Sequence, residues 1–133
     1  MNEIIDEIER NLKWLRMNVK TDDIVSKVKV LENIALLAVN MSDEVSDVYA
    51  LMNDLEDDYK TSVAKFVMDY DGTSAKGERV AEVEFAEKKK NWTQAKNGYK
   101  KLNTYLDRID KQLDAGKQTI SVIKQTNLKH MTG

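Results

Sequence analysis

WTQAKNGYKKLNTYLDRIDKQLDAGKQTISVIKQ, residues 92–125, decides the fold. Within it Trp92, Ala95, Tyr99, Leu102, Leu106, Ile109, Leu113, Gly116, Ile120 and Ile123 recur at alternating steps of three and four. This spacing makes a helical heptad seam of about four and a half repeats, with charges or amides at most other positions. Ala95 and Gly116 are its thin points. Gly116 either admits a close neighbour or marks a break.

Size turns the seam into an argument about packing. An unbroken helix over 78–126 would be on the order of 75 Å long. A compact globule of this chain length has a radius of gyration of roughly 14 Å. Such a helix has to pack on other long helices, bend at Gly98 or Gly116, or bury its seam against another chain.

Upstream of the seam the same period recurs. Ile5, Ile8, Leu12, Leu15 and Val19 predict a first helix over about residues 2–18. Thr21, with Asp22 and Asp23 behind it, reads as the cap of a second helix, and Ser42, with Asp43 and Glu44, as the cap of a third. The segment between those caps is apolar around more than one face, which predicts the most buried helix. The strongest turn signals lie in DYDGTSAKGE (69–78), at Asp71-Gly72 and Lys76-Gly77. They place a loop at 71–77 inside one domain spanning 1–133.

Composition agrees. The 133 residues include no Pro, five Gly and 33% charged side chains, which favours solvated helices over buried strands. The expected class is all-α: an elongated helical bundle with a long C-terminal coiled-coil-like helix, forming a homo-oligomer. The absence of Cys excludes disulfides and thiolate metal sites. The N-terminus lacks the uninterrupted apolar stretch of a signal peptide, and the longest apolar run, IALLAV at 34–39, is too short for a bilayer. A soluble, cytoplasmic protein with no membrane partner is expected.

The net charge of −2 hides a linear polarity. Residues 1–87 hold ten Lys/Arg against twenty Asp/Glu, whereas residues 88–133 hold eleven against three Asp. EKKKNWTQAKNGYKKL, residues 87–102, concentrates six lysines around Trp92 and Tyr99. In the heptad frame Lys89 and Lys96 fall beside the seam, Lys90, Lys100 and Lys101 on the outer positions, and only Lys88 on the seam line. The aromatics are therefore expected in a core and the lysines in solvent. Lysines without local acids can serve a phosphate backbone, and with no base-reading motif beside them any such binding would be independent of sequence.

Signs of catalysis are missing. His130 is a lone histidine near the C-terminus, DLEDD (54–58) lacks calcium-loop spacing, and KGERVAE (76–82) is no phosphate loop. Ser and Thr have no His partner for nucleophilic work. The expectation is a non-enzyme that needs no cofactor and no metal.

The layout also carries a resemblance. An acidic amphipathic half, then Lys65-Phe66-Val67-Met68-Asp69-Tyr70, a Gly-containing loop and a long C-terminal helical segment together resemble the UvsY family of phage recombination mediators, over about residues 60–125. The resemblance implies a ring-forming helical oligomer. Such a protein binds single-stranded DNA and helps load a recombinase onto strands coated by single-strand-binding protein, in the host cytoplasm. The family's DNA-contacting lysine maps onto Lys65, but its arginine two residues on is Val67 here. DNA contact would then shift toward Lys76, Arg79, Lys88, Lys89, Lys90, Lys96, Lys100 and Lys101. Self-assembly would use the seam residues Trp92, Tyr99, Leu102, Leu106, Ile109, Leu113, Ile120 and Ile123. The rival expectation is a phage protein–protein interaction factor, for anti-defence, assembly or scaffolding, acting through the acidic helices.

Overall fold

A computed structural model describes residues 2–18 and 23–132, with the backbone alone at 127 and 129–132. The described residues form four helices and no strand: α1 (Asn2–Met17), α2 (Ile24–Asp69), α3 (Ser74–Glu84) and α4 (Ala86–Thr132). The chain is all-α, as composition and periodicity predict. None of these helices is long and apolar enough to cross a membrane.

Two compact units can be distinguished. The first takes residues 1–44 and 104–133, and so holds α1, the first part of α2 and the later part of α4. Its core is aliphatic. Ile8, Ile34 and Ile109 are fully buried with Met41, and Leu12, Leu31, Ala38, Leu113 and Ile120 complete the interior. Three amphipathic stripes facing inward enclose these side chains, and each buried aliphatic contributes on the order of 2 kcal/mol through the water it sheds. A polar tie joins α1 to α4. The Tyr105 hydroxyl donates to Glu9 Oε1 at 2.7 Å, and Arg108 lies 3.7 Å from the same oxygen.

The second unit takes residues 45–103: the rest of α2, then α3 and the first part of α4. Val45, Tyr59 and Ala81 are its buried apolar residues. Aromatic rings supply most of the remaining packing, as described below.

Helix boundaries correct the sequence reading in three places. α2 opens at Ile24, and its cap is Asp23 itself, whose carboxylate accepts from the Ser26 hydroxyl at 2.7 Å and the Ser26 N–H at 3.1 Å. Those hydrogen bonds, the hydroxyl's first, hold the Asp23 carboxyl below its ordinary range. Thr21 and Asp22 lie outside the described residues. Secondly, Ser42 caps nothing, because α2 runs through it without interruption. Met41 and Val45 flank it on the buried face, and with no Gly or Pro nearby the period continues unbroken.

Thirdly, the long C-terminal helix is divided, but at neither glycine. The α2–α3 loop is only 70–73, and α3 starts where Thr73 accepts the Lys76 N–H, so the expected loop at 71–77 is shorter and lies earlier. The departure from helical backbone comes at Phe85, with φ −106° and ψ 23°. Even there the ladder persists, since the Phe85 N–H reaches Ala81 O at 2.8 Å and the Lys89 N–H reaches Phe85 O at 3.1 Å. The Phe85 ring sits edge-on against Phe66, centroids 5.9 Å apart. That contact anchors the irregular residue. Gly98 and Gly116 both stay helical.

Candidate nucleic-acid interface

All nine residues expected to contact DNA fall in the second unit, so their setting is the aromatic packing there. Tyr49 meets Tyr99 with centroids at 5.1 Å, and Tyr59 stacks on Trp92 at 5.8 Å. Phe66 stacks on Tyr70 at 5.9 Å while meeting Phe85 edge-on. Trp92 and Tyr99 are therefore packed against α2 and are not free to stack on bases. The Trp92 ring also lies under two amines, Lys60 at 5.7 Å and Lys96 at 5.8 Å, from opposite helices. Cations over an indole face are attracted by its quadrupole and shield its edge from water.

The lysines divide by their position around α4. At a hundred degrees per residue, Lys89, Lys96 and Lys100 line up on one strip about 17 Å long. Lys90 and Lys101 form a second strip further round, facing away from the seam. All five are exposed, and none makes an ion pair among the described residues. Lys88 differs. It points along the seam line toward α2, where its amine donates to Asp58 Oδ1 at 3.1 Å and Ser62 Oγ at 3.0 Å and lies 5.8 Å from the Phe85 ring centre. Lys88 is already engaged, and the sequence-based grouping with Lys89 and Lys90 does not hold in space.

The remaining three cations occupy other elements. Lys76 and Arg79 are exposed on α3, and Lys65 is exposed near the end of α2. Lys65 borders a recess of about 390 Å³ floored by Phe66, Tyr70 and Phe85, but Asp69 and Asp71 line the same recess. Two carboxylates beside one ammonium make this a poor place for a phosphate. Val67, where the resembled family carries an arginine, is half-buried.

The seam residues are covered by the chain's own helices. Ile109, Leu113 and Ile120 are buried in the first unit, with Leu106 and Ile123 half-buried there, while Trp92, Tyr99 and Leu102 are half-buried in the second. Of the three ways to bury the seam, packing on the chain's own helices is the one observed, with α1 and α2 supplying the cover.

Folding also rearranges the charge. The first unit carries eleven Lys/Arg against twelve Asp/Glu and the second ten against eleven, so each has a net −1. The linear polarity of the chain is cancelled because its acidic and basic stretches are mixed within each unit. Polarity survives inside the second unit. Its α4 part holds six lysines and one acid, Glu87, whereas its α2 part holds six acids and two lysines. Sequence reading missed this, since it depends on which segments share a unit. The acid-to-lysine match at Asp58 and Lys88, thirty residues apart, carries no local signal either.

The acids of 54–58 do not gather into a metal site, and no group of three or more His, Cys, Asp or Glu among the described residues could hold an ion. The side chain of His130 is outside the described residues. No family model, curated protein or solved structure matches the chain.

Proposed function

We propose that the protein is a non-catalytic binding module whose α4 lysine strips track the phosphate backbone of single-stranded DNA without reading its sequence. The observation that carries this reading is the row Lys89, Lys96 and Lys100, flanked by Lys90 and Lys101, exposed and without an ion pair among the described residues. Lys76 and Arg79 are secondary contributors, and Lys65 and Lys88 contribute least because carboxylates already face them. In the role implied by the UvsY-like layout, the acidic α2 side would meet a recombinase or single-strand-binding protein. Self-association would then draw on exposed apolar residues such as Met68 and Val83, and not on the covered seam.

The test is binding of the full-length protein to a fluorescent single-stranded oligonucleotide across a salt series. Five neutralised phosphates correspond to a log–log slope of about −3.5, since each contributes about −0.7 on single strands. Replacing Lys89, Lys90 and Lys100 by Ala should weaken binding at least threefold and flatten the slope to about −1.4. The absence of binding even at low salt would overturn the reading.

A second reading is favoured by the near-neutral charge of each unit. A protein partner bearing both signs suits such a surface, and the chain would then act as an interaction or scaffold factor. Retained partner binding in the Lys89/Lys90/Lys100 variant, with no oligonucleotide affinity in the parent, would select this reading.

A further inference from the structure

We infer that the aromatic recess beside the α2–α3 loop is a binding site for a small organic cation with a methylated ammonium head, of the choline type. The recess, of about 390 Å³, lies wholly within the second unit. Phe66, Tyr70 and Phe85 line it, and the exposed Lys65, Asp69 and Asp71 border it. It shares no residue with the α4 lysine strips, so it stands apart from DNA binding.

Three features point to a cation. First, all three aromatic residues are half-buried, so they keep surface within reach of a ligand. Tyr70 stacks on Phe66 while Phe85 meets Phe66 edge-on, which turns ring surface in more than one direction. The negative face of an aromatic ring attracts a cation. Phe85 already has one beside it, the Lys88 amine at 5.8 Å from its centre, whose charge is matched by Asp58 at 3.1 Å. Secondly, two carboxylates against one ammonium give the recess a net −1. Neither Asp69 nor Asp71 makes an ion pair among the described residues, although Lys65 borders the same space. Thirdly, the Tyr70 ring is set in place by backbone. A Cβ at Gly72 would come within 2.9 Å of Tyr70 Cε1, and one at Gly77 within 3.1 Å of Tyr70 Cδ1. Gly72 also has φ 152°, which residues with a side chain rarely adopt. The loop that carries Asp71 is thus shaped around the ring, and a wall fixed beforehand loses little freedom when a ligand arrives.

Chemical class follows from these parts. An unmethylated ammonium is strongly hydrated, and a wall of carbon rings cannot replace the hydrogen bonds it would give up. Methyl groups remove those donors and offer apolar surface for the rings to cover, while the charge stays. Asp69 and Asp71 supply the balancing charge from the border. The same two carboxylates repel an anionic ligand.

The experiment is a titration of ¹⁵N-labelled full-length protein with choline chloride at fixed ionic strength. Two controls accompany it: the uncharged isostere, in which a tert-butyl group replaces the trimethylammonium, and ammonium chloride, a cation without methyl groups. Choline should give saturable shifts at the backbone amides of Phe66, Tyr70, Asp71 and Phe85. The isostere should bind about fivefold more weakly, the worth of a cation beside ring faces at an exposed site, and ammonium should give no saturable shift there. The double variant D69N/D71N should weaken choline about threefold, whereas K65Q, which removes the opposing charge, should strengthen it about twofold. All three positions are exposed, so these variants keep the fold. Flotation with phosphatidylcholine vesicles separates a free cation from a lipid headgroup, and the protein should stay off the vesicles. Absence of saturable shifts with choline, equal binding of the isostere or of ammonium, or vesicle attachment without a response to free choline overturns the inference.

Discussion

The two units solve the same packing problem with different chemistry. In the first, three helices surround a space, and aliphatic residues fill it to zero exposure at Ile8, Ile34 and Ile109. In the second, the long α2 and α4 segments have only the short α3 beside them. Large rings cover the seam there, with Tyr49 on Tyr99 and Tyr59 on Trp92, and the Lys60 and Lys96 amines lie over the Trp92 ring. A core closed on three sides can be built from compact branched residues. A more open one needs side chains that bury much area individually and tolerate a wet edge.

The contrast breaks most readily at the aliphatic end. Ile34→Ala or Ile109→Ala should cost about 3 kcal/mol in denaturant unfolding, because each leaves a cavity in a closed interior. Trp92→Ala should cost about 2 kcal/mol, less than a fully buried tryptophan, since the ring is half-buried and its surroundings can collapse toward water. Equal losses at Ile109 and Trp92 would erase the distinction between the cores.

A sharper comparison uses one substitution in both units. Gly116→Ala places a methyl 2.7 Å from Leu31 Cδ2 and should destabilise by about 1–2 kcal/mol, overpacking outweighing helix propensity. Gly98→Ala meets nothing within 4 Å and should stabilise by up to about 1 kcal/mol, the ordinary gain of Ala over Gly in a helix. Thermal melts of the two variants should therefore move in opposite directions. Shifts of the same sign would contradict the described spacing of α2 and α4 at Leu31.

Much of this was legible in the sequence, and the reason is periodicity. Every one of the ten seam positions from Trp92 to Ile123 is buried or half-buried, because a heptad stripe identifies its own inward face. At Gly116 the period left two readings, a close neighbour or a break, and the backbone there stays helical and lies close to Leu31. Signals that depend on short motifs did worse. Ser42-Asp43-Glu44 has the composition of a cap, yet a cap also requires the backbone to leave the helix, and the buried flanks Met41 and Val45 keep it in. Phe85 carries no breaker signature, and its irregular backbone coincides with an edge-on contact to Phe66, nineteen positions earlier. Among the candidate contacts, exposure of Lys89, Lys90, Lys96, Lys100 and Lys101 followed from the period. The loss of Lys88 to Asp58 did not, because long-range pairing of charges leaves no trace in local spacing.

The smallest expected effect concerns the polar tie in the first unit. Burial, then the hydrogen bond to Glu9 and the charge of that carboxylate, pushes the Tyr105 hydroxyl up from the ordinary tyrosine range. A raised folded-state value means that this contribution is complete below the ordinary tyrosine pKa and is lost as pH climbs above it. Tyr105→Phe should cost about 0.5–1 kcal/mol at neutral pH and flatten the alkaline loss of stability. An unchanged alkaline slope in the variant would assign that slope to other groups.

The charge cancellation within each unit bears on how fast any partner is found. With a net −1 per unit there is little monopole to pull a ligand in from afar. What the second unit offers is a separation of sign across it, lysine-rich on the α4 side and carboxylate-rich on the α2 side, whose field fades within a Debye length of about 8 Å at physiological salt. Encounter should thus proceed at an ordinary, unsteered rate, and the charges should act late, by orienting a partner already at the surface. Selectivity would reside in dissociation, with residence time and not capture rate distinguishing one partner from another.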